Sequence, residues 1–319
     1  TLAGGALAKA GLERRTPLAM PTLLVAANLP DIDALAYLRD PLFALTFRRG
    51  WTHGVLAMAV LPLVLAAVMV GWDGLVRRRR RPQATPASFR SLWLVSLIGV
   101  LSHPLLDLLN TYGVRLLMPF SERWFYSDTL FIIDPWLSGL LALTWLVGSV
   151  GSRREGTAKI VGGFALVYIA VMFGLGQAAQ TAAAREAGPA VSRGRMMAAP
   201  VPVSPFRREV LFDLKQGYRW ASFDWRRPVP RLLVAPDTIP RNFDQPAIAA
   251  VLTKPAARAF LGWSRFPAAV VTPGGVRLYD LRYADGETDS WASVVISAGS
   301  STAAGSPDRR ASRRWSPSK

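Results

Sequence analysis

The stretch Val55–Trp72, VLAMAVLPLVLAAVMVGW, decides the fold because it runs for eighteen residues without one charged side chain. A helix needs about 17–25 mostly apolar residues to cross the hydrocarbon core of a bilayer. Three later windows are also long and apolar, namely Leu92–Leu109, Leu130–Val150 and Ile160–Gly176. The sequence therefore predicts an α-helical membrane bundle with about four transmembrane helices.

The overall composition agrees with a folded chain that is partly embedded in a membrane. Of its 319 residues, 51% are apolar and only 18% are charged, and the mean hydropathy is +0.23. These values exclude a chain that is disordered throughout, a collagen and a coiled coil. The absence of cysteine excludes disulfides, thiolate metal sites and cysteine nucleophiles.

The basic residues predict how the helices are oriented. Lys and Arg number 38 against 21 Asp and Glu, and short basic loops lie between the windows, at Arg77–Arg81 and at Arg153 and Arg154. Short loops rich in arginine stay in the cytoplasm, so the ends near His53 and Gln177 are predicted on the other side. A long basic helix with interleaved aromatic residues is not evident, and a nucleic-acid partner is therefore not expected.

The first 180 residues are interpreted as one membrane-embedded domain. Within it, Leu18–Leu29 is apolar but too short to span, and Pro21 interrupts it. A re-entrant or interfacial element is expected there. Residues 2–12 are small and apolar with three glycines, which is typical of a helix packed tightly against others.

The second part of the chain has a different character. Residues 185–297 are rich in proline, and Arg277–Tyr283 alternates polar and apolar side chains after a turn signal at Pro273–Gly275. We expect a small, mostly β extramembrane domain on the non-cytoplasmic side, with a helix near Pro246–Leu261. Residues 298–319, rich in Ser, Ala, Pro and Arg, predict a disordered basic tail.

Both histidines of the chain lie in the membrane half, His53 just before the first window and His103 inside the second. His103 and Asp107 are four residues apart, so on a helix they share one face with Cβ atoms about 5–6 Å apart. An imidazole and a carboxylate at that spacing can bind one divalent metal. Ionisable groups in a spanning helix cost about 2.5–3.5 kcal/mol on insertion scales, and they usually line a cavity.

The predicted topology brings several such groups to one depth. His53, Asp107 and Asp134 lie on three separate segments near the non-cytoplasmic face, and Asp31 and Asp33 can join them if the short element re-enters from that side. Each residue also has a purely structural interpretation. A histidine can serve as a hydrogen-bond donor between helices, Asp134 as the cap of a helix that starts at Pro135, and Asp31 as a turn residue.

Four motifs occur in an order that resembles a known family. They are Leu2–Leu12 (LAGGALAKAGL), Asn28–Asp33 (NLPDID), Arg49–Gly54 (RGWTHG) and Ser102–Gly113 (SHPLLDLLNTYG). The chain resembles the bacterial inner-membrane metal-dependent hydrolases, which are also described as LexA-binding, inner membrane-associated hydrolases. The resemblance covers about residues 1–180, and Leu278–Tyr283 is similar to an extension that some members carry.

The resemblance implies a hydrolase of the bacterial inner membrane with a divalent metal. Asp33, His53, His103 and Asp107 are the implied metal ligands, and Asp31 is a further ligand or a base, so that Asp31 and Asp33 are the catalytic candidates. The mix of imidazole and carboxylate favours Zn²⁺, with Mn²⁺ or Mg²⁺ as alternatives. Family members usually begin with a further histidine in a Thr-His-Thr-Leu phrase, and one ligand is therefore expected just before Thr1.

The expected reaction is hydrolysis of a phosphoester or another ester, with a membrane lipid as partner and candidate substrate. Arg48 and Arg49 are candidates for binding an anionic head group, because a guanidinium matches phosphate geometry, although both could be interfacial anchors. The alternative is a non-enzymatic membrane scaffold, transporter or regulator-docking protein. A transporter is expected to show related halves with broken helices, which the sequence does not suggest. The oligomeric state is left open.

Overall fold

The structure is a computed structural model that describes residues 1–187, 196–227, 232–284 and 290–297. All the named elements of the first 187 residues are helices. In chain order they are α1 (Leu2–Lys9), a 3₁₀ turn (Leu12–Arg14), α2 (Ala19–Ala26), a 3₁₀ helix (Leu29–Leu38), α3 (Pro41–Phe47), α4 (Val55–Trp72), α5 (Phe89–Leu108), α6 (Pro135–Val147) and α7 (Arg154–Ala187). Helix α4 continues through a π-helical turn, Asp73–Arg77, to Arg78–Arg80. A loop without helix, residues 109–134, lies between α5 and α6.

Within the described ranges, three helical stretches are long and apolar enough to cross a membrane: Val55–Arg80, Phe89–Leu108 and Arg154–Glu186. The predicted helical membrane bundle is therefore confirmed. The fourth window is shorter than predicted, because α6 begins only at Pro135 and has 13 residues. Asp134 sets this start, since its carboxylate accepts a hydrogen bond from the Leu137 backbone N–H and proline favours the first helical position.

The N-terminal helices pack inside the bundle. Helix α2 contacts α1, α4 and α5, and its Ala19, Leu23 and Ala26 are fully buried. A Cβ added at Gly4 of α1 would lie 2.5 Å from the Leu23 carbonyl oxygen. The expected tight packing of residues 2–12 is confirmed. The short apolar run is a buried helix, and the 3₁₀ helix that follows it carries Asp31 and Asp33.

Helices α4 and α5 form an antiparallel pair that defines the two ends of the bundle. They pack against each other, and the Arg77–Arg81 run lies at the end of the helical continuation of α4, before the loop to α5. The segment after α5 returns to the start of α4, where the Val55 N–H donates to the Leu116 carbonyl. The arginine run and the motifs around His53 and Asp107 therefore lie at opposite ends.

The C-terminal part is mostly β, as predicted. One antiparallel sheet has the order β1 (Met196–Val201), β2 (Ser204–Leu214), β3 (Gly217–Asp224) and β4 (Leu232–Val234), and a second has the order β5 (Pro267–Thr272), β6 (Gly275–Asp280) and β7 (Ser293–Ile296). The helix expected near Pro246–Leu261 forms as two helices, α8 (Pro246–Leu252) and α9 (Pro255–Trp263), because Pro255 cannot donate a hydrogen bond inside a helix.

The sequence predicted two features of the second sheet, a strand over Arg277–Tyr283 and a turn before it. The strand expected over Arg277–Tyr283 ends at Asp280, and Leu281–Tyr283 forms a 3₁₀ turn. The predicted turn is present, with Gly275 at a φ of 129°, a conformation that favours glycine. The predicted tail, residues 298–319, lies outside the described residues.

The C-terminal part rests on the end of the bundle that carries the histidine motifs. Helix α7 extends past its apolar window, and its Ala179 and Ala183 are buried against Met196 and Val210 of the first sheet. The second sheet and α9 enclose Tyr112, which follows α5 and shares a buried core with Trp263. The loop that follows α5 is thus covered by the C-terminal part.

Candidate metal centre

The two histidines meet at the end of the α4–α5 pair. Their ring centroids are 5.2 Å apart. Nε2 of His53 lies 3.2 Å from Oδ2 of Asp107, and Nε2 of His103 lies 3.5 Å from the same oxygen. His103 and Asp107 share one face of α5, as the four-residue spacing predicted.

The 3₁₀ helix adds a carboxylate to this cluster. Oδ2 of Asp31 lies 3.4 Å from Nε2 of His103. Asp31, His53 and His103 each place one potential ligand atom within 4.8 Å of the others. Asp107 contacts both Nε2 atoms beside this group, and we call the four side chains, Asp31, His53, His103 and Asp107, the central cluster.

The partners of the Nδ1 atoms orient both imidazoles. Nδ1 of His103 lies 2.8 Å from the Ala27 carbonyl oxygen. Because a carbonyl only accepts, this Nδ1 carries a proton, and Nε2 is the ring nitrogen that faces the cluster. Nδ1 of His53 lies 2.9 Å from the Thr52 hydroxyl, which donates to Asp33 at 2.9 Å and so is free to accept from the imidazole. Metal-binding histidines are oriented by such outer partners.

Asp33 lies beside the Nδ1 edge of the His53 ring. Its buried carboxylate accepts hydrogen bonds from the Arg49 N–H at 2.8 Å and from the Thr52 hydroxyl, and Nε of Arg48 lies 3.4 Å away. Its Oδ2 is 3.3 Å from Nδ1 of His53, not from Nε2. Of the two predicted acids, the structure thus brings Asp31 to Nε2 of His103 and Asp33 to the Nδ1 edge of the His53 ring.

The charges of the cluster stabilise one another. The hydrogen bond to His103 lowers the pKa of Asp31 to about 2, although partial burial opposes this shift. Burial alone would lower the pKa of His53, but the neighbouring carboxylates of Asp107 and Asp33 outweigh it and raise that pKa. Burial would raise the pKa of Asp33, but His53 and the Arg49 N–H lower it overall.

Two atoms at the centre lack hydrogen bonds. Nε2 of His53 and Oδ2 of Asp107 are buried, and neither has a hydrogen-bond partner of acceptable geometry within the described part of the chain. Ligand atoms about 2.0–2.2 Å from one zinc ion lie about 3.3–3.6 Å apart at a tetrahedral angle. The observed separations of 3.2, 3.4 and 3.5 Å fit that spacing, and the donor set is one that zinc accepts.

The two predicted arginines contact different parts of the cluster. Nη2 of Arg49 lies 3.1 Å from Oδ1 of Asp107, and its Nη1 donates to Asn110 Oδ1 at 3.1 Å. Nη2 of Arg48 lies 3.6 Å from Oδ1 of Asp31, the most exposed carboxylate of the group. Arg49 is therefore held on both sides by the protein, whereas Arg48 stands at the edge of the cluster.

The two glycines of the RGWTHG motif allow neighbouring segments to pack directly against the motif. A Cβ at Gly50 would lie 2.6 Å from the guanidinium of Arg115, and a Cβ at Gly54 would collide with the Met118 carbonyl. Arg115 itself donates to the Thr46 and Arg48 carbonyls. The motif thus needs small residues because an arginine and a backbone segment pack directly against it.

Asp134 is separate from the central cluster and has its own partners. It caps α6 and accepts hydrogen bonds from the Tyr168 hydroxyl at 3.1 and 3.0 Å, so the structural interpretation of Asp134 is confirmed. Sequence reasoning missed Thr52 and Asn110, which hold His53 and Arg49. Their signal was their position in the same motifs as His53 and Asp107.

Comparison with known proteins agrees with the helical architecture. Residues 1–179 match the family model described as YdjM inner membrane protein. The chain belongs to the YdjM family. It is accordingly a protein of the bacterial inner membrane, which the three long apolar helices also support. The C-terminal sheets lie beyond the matched residues.

Two relatives of the YdjM-family chain carry names that give no activity. The chain is 29% identical over 132 residues to the uncharacterized protein YfhP of Bacillus subtilis, covering 40% of this chain and 37% of that protein. It is 31% identical over 109 residues to the inner membrane protein YbcI of Escherichia coli, covering 33% of this chain and 55% of that protein. The matches thus span about a third to a half of these relatives. No solved structure matches the chain.

Proposed function

We propose that the protein is a membrane-bound, metal-dependent hydrolase that acts on a phosphoester or another ester of a lipid. The observation that carries the proposal is the convergence of two imidazole Nε2 atoms and two carboxylates from three segments. Two of these atoms, His53 Nε2 and Asp107 Oδ2, are buried without a hydrogen bond in the described chain. Leaving such atoms unpaired costs about 1–3 kcal/mol each, and a bound cation would remove that cost.

The residues proposed to hold the ion are those of the central cluster. Zn²⁺ suits two imidazoles with carboxylates, and Mn²⁺ or Mg²⁺ would need more oxygen ligands. When bound, zinc lowers the pKa of a coordinated water to about 7 and polarises the scissile group. Asp33 is proposed to act through His53, which it holds by Nδ1 together with Thr52.

Asp31 is assigned as a ligand in preference to a general base. Its Oδ2 lies 3.4 Å from Nε2 of His103, a separation that two ligands of one zinc ion have. Asp31 is also the cluster member open to the outside, with 46% of its side chain exposed. It therefore marks the side from which a substrate would approach.

Arg48 is the better candidate for binding an anionic group. It stands beside Asp31 at the open side, and its guanidinium lies 5.2 Å from the Tyr37 ring. A guanidinium that is partly exposed can bind a phosphate with two hydrogen bonds. Arg49 is instead proposed to orient Asp107.

A lipid substrate is supported by the apolar surface next to Asp31. Ile32, Leu35 and Leu38 are three residues apart, and a 3₁₀ helix repeats every three residues, so they form one ridge. Their side chains are 52%, 61% and 85% exposed. An open surface groove of about 550 Å³ runs between this helix and Val25 and is bordered by Asp31.

The site is proposed to face the non-cytoplasmic side. The arginine run at 77–81 lies at the opposite end of the bundle, and short basic loops remain cytoplasmic. The central cluster and the C-terminal sheets would then lie outside. Protease digestion of spheroplasts tests this placement: cleavage in residues 196–297 from outside is expected, and complete protection would contradict it.

Hydrolysis can be tested with zinc-loaded protein in detergent on dioleoyl phosphatidic acid, dioleoyl phosphatidylglycerol and p-nitrophenyl butyrate, which cover three ester classes. We expect turnover of at least one lipid, loss of turnover with a chelator, and recovery with zinc. Leu35→Ser should slow the dioleoyl lipid but not its dihexanoyl form. The matched control is Leu75→Ser, an equally exposed leucine at the arginine end. Absence of turnover on all three ester classes would contradict the enzyme and leave a scaffold.

A further inference from the structure

Arg282 connects the C-terminal part to the loop that follows α5, the helix that carries His103. Its side chain is fully buried. Nη1 donates to the Thr111 carbonyl at 2.8 Å and contacts the Tyr112 carbonyl at 3.4 Å. These two carbonyls lie four and five residues after Asp107, beyond the end of α5.

The position of Arg282 is fixed from behind. Nε and Nη2 donate to the two oxygens of Asp280 at 3.0 and 2.9 Å. Asp280 also accepts hydrogen bonds from the Ser264 hydroxyl at 2.6 Å and from the Arg265 N–H at 2.8 Å. A bidentate pair with satisfied oxygens has one preferred geometry, so Arg282 presents Nη1 in a defined direction.

The loop that Arg282 contacts also holds Arg49. Oδ1 of Asn110 accepts from the Tyr112 N–H at 2.9 Å and from Arg49 Nη1 at 3.1 Å. Arg49 also donates to the Gly113 carbonyl at 3.3 Å, and its guanidinium lies 4.5 Å from the centre of the Tyr112 ring. The other nitrogen of Arg49 reaches Asp107 at 3.1 Å.

The ring of Tyr112 adds a second connection. It packs 5.4 Å from the Trp263 ring, centre to centre, in a core that includes Phe260 and Ile248. Helix α9, which carries Phe260 and Trp263, also contacts α3 just before Arg48. The C-terminal part therefore contacts both the backbone of the loop, through Arg282, and the side chain of Tyr112.

We infer that Arg282 is a positioning residue for the central cluster: through the 110–113 loop it fixes Arg49, and through Arg49 it fixes Asp107. The inference rests on the proposed function, since it concerns the geometry of a metal ligand. It also gives a role to residues beyond the part of the chain that matches the YdjM family. Outer residues that orient ligands change metal affinity by about 10–100-fold when they are mutated.

The experiment compares Arg282→Met with Arg265→Met in the full chain. Arg265 also joins the C-terminal part to the membrane part, because its Nη1 donates to both carboxylate oxygens of Asp128 at 2.9 and 3.0 Å, but it does not contact the 110–113 loop in the described structure. Zinc affinity is measured by chelator competition, and the ligand geometry by the visible absorption spectrum of the cobalt-substituted protein.

We expect Arg282→Met to weaken zinc binding at least tenfold and to change the cobalt spectrum, while Arg265→Met leaves both as in the wild type despite a lower melting temperature. Arg282→Lys should recover part of the affinity, because an ammonium can still donate to the Thr111 carbonyl. If Arg282→Met does not fold, Tyr112→Leu tests the same loop from its other side with the same two measurements.

Two results would overturn the inference: wild-type affinity and spectrum in Arg282→Met, or an equal loss in Arg265→Met, which would indicate general domain packing. Both differ from failure of the proposed function, in which the wild-type protein itself binds no zinc.

Discussion

Two buried groups of charged residues in this protein satisfy their polar atoms in different ways. Around Asp280, both carboxylate oxygens accept hydrogen bonds from Arg282, and Ser264 and the Arg265 N–H complete the set. In the central cluster, Nε2 of His53 and Oδ2 of Asp107 face each other without a hydrogen bond. The first group is complete as it stands and stabilises the fold. The proposed cation would give the two unpaired atoms of the second group their missing partners.

The largest loss of stability is expected when the Asp280–Arg282 pair is broken. Asp280→Ala leaves the buried guanidinium of Arg282 without its partner, which typically costs about 3–5 kcal/mol of unfolding free energy. Asp31→Ala in the metal-free protein should cost less than about 1 kcal/mol, because Asp31 is half-exposed and its ion pairs are screened. Denaturant unfolding followed by tryptophan fluorescence measures both. Equal losses would show that the two groups do not differ as described.

A low pH should weaken the ion pair of Asp280 and Arg282 without any substitution. The pKa of Asp280 is lowered overall because Arg282 and the hydrogen bonds from Ser264 outweigh the effect of burial. A lowered pKa means that the pair contributes stability above the unfolded value of about 3.9 and loses it as the pH falls further. Wild type should therefore lose more stability than Asp280→Asn between pH 5 and pH 3. Parallel curves for the two proteins would contradict this assignment.

Zinc should stabilise the folded protein by binding to the central cluster. A ligand that binds only the folded state adds about 2.7 kcal/mol at 100 times its dissociation constant. The unfolding free energy of wild type should rise by this amount, and that of His53→Ala/His103→Ala should not change. Asp134→Asn is the control, because Asp134 is an acid of the bundle that binds Tyr168 and lies outside the cluster. Stabilisation of the double variant would place the ion elsewhere.

The smallest effect is expected at the edge of the cluster. Arg48→Gln should raise KM for an anionic lipid about tenfold, which corresponds to about 1.4 kcal/mol, and should change zinc affinity less than Arg49→Gln does, because its ion pair with the half-exposed Asp31 is screened. Arg49→Gln should instead lower zinc affinity, because Arg49 contacts Asp107. Steady-state kinetics and metal analysis of both variants separate the roles. Identical behaviour of the two variants would contradict the division.

Much of the architecture could be predicted from the sequence, because bilayer thickness requires long apolar stretches. Helix α6 is shorter than its apolar window, because Asp134 and Pro135 start the helix inside that window. Alternation in Arg277–Tyr283 predicted a strand, but Asp280 ends it by turning its carboxylate to the Arg282 N–H at 2.9 Å. Local patterns do not include such tertiary contacts.

The candidate site was predictable in its members but not in their arrangement. Spacing placed His103 and Asp107 on one face, and the motifs supplied His53 and the two acids. Which acid faces Nε2 of His103 depends on the 3₁₀ helix, whose three-residue repeat buries Asp33 and exposes Asp31. The contribution of Arg282, more than 170 residues away from Asp107 in the chain, had no signal in the local sequence.

The central claim is that the cluster binds one divalent cation, and the most direct test is elemental analysis of the full chain purified in detergent at neutral pH without a chelator. The account predicts about one equivalent of zinc per chain in wild type and in Asp134→Asn. It predicts less than a tenth of that content in His103→Ala/Asp107→Ala. Wild-type zinc content in that double variant, or a wild-type protein that stays metal-free after zinc is added, would contradict it.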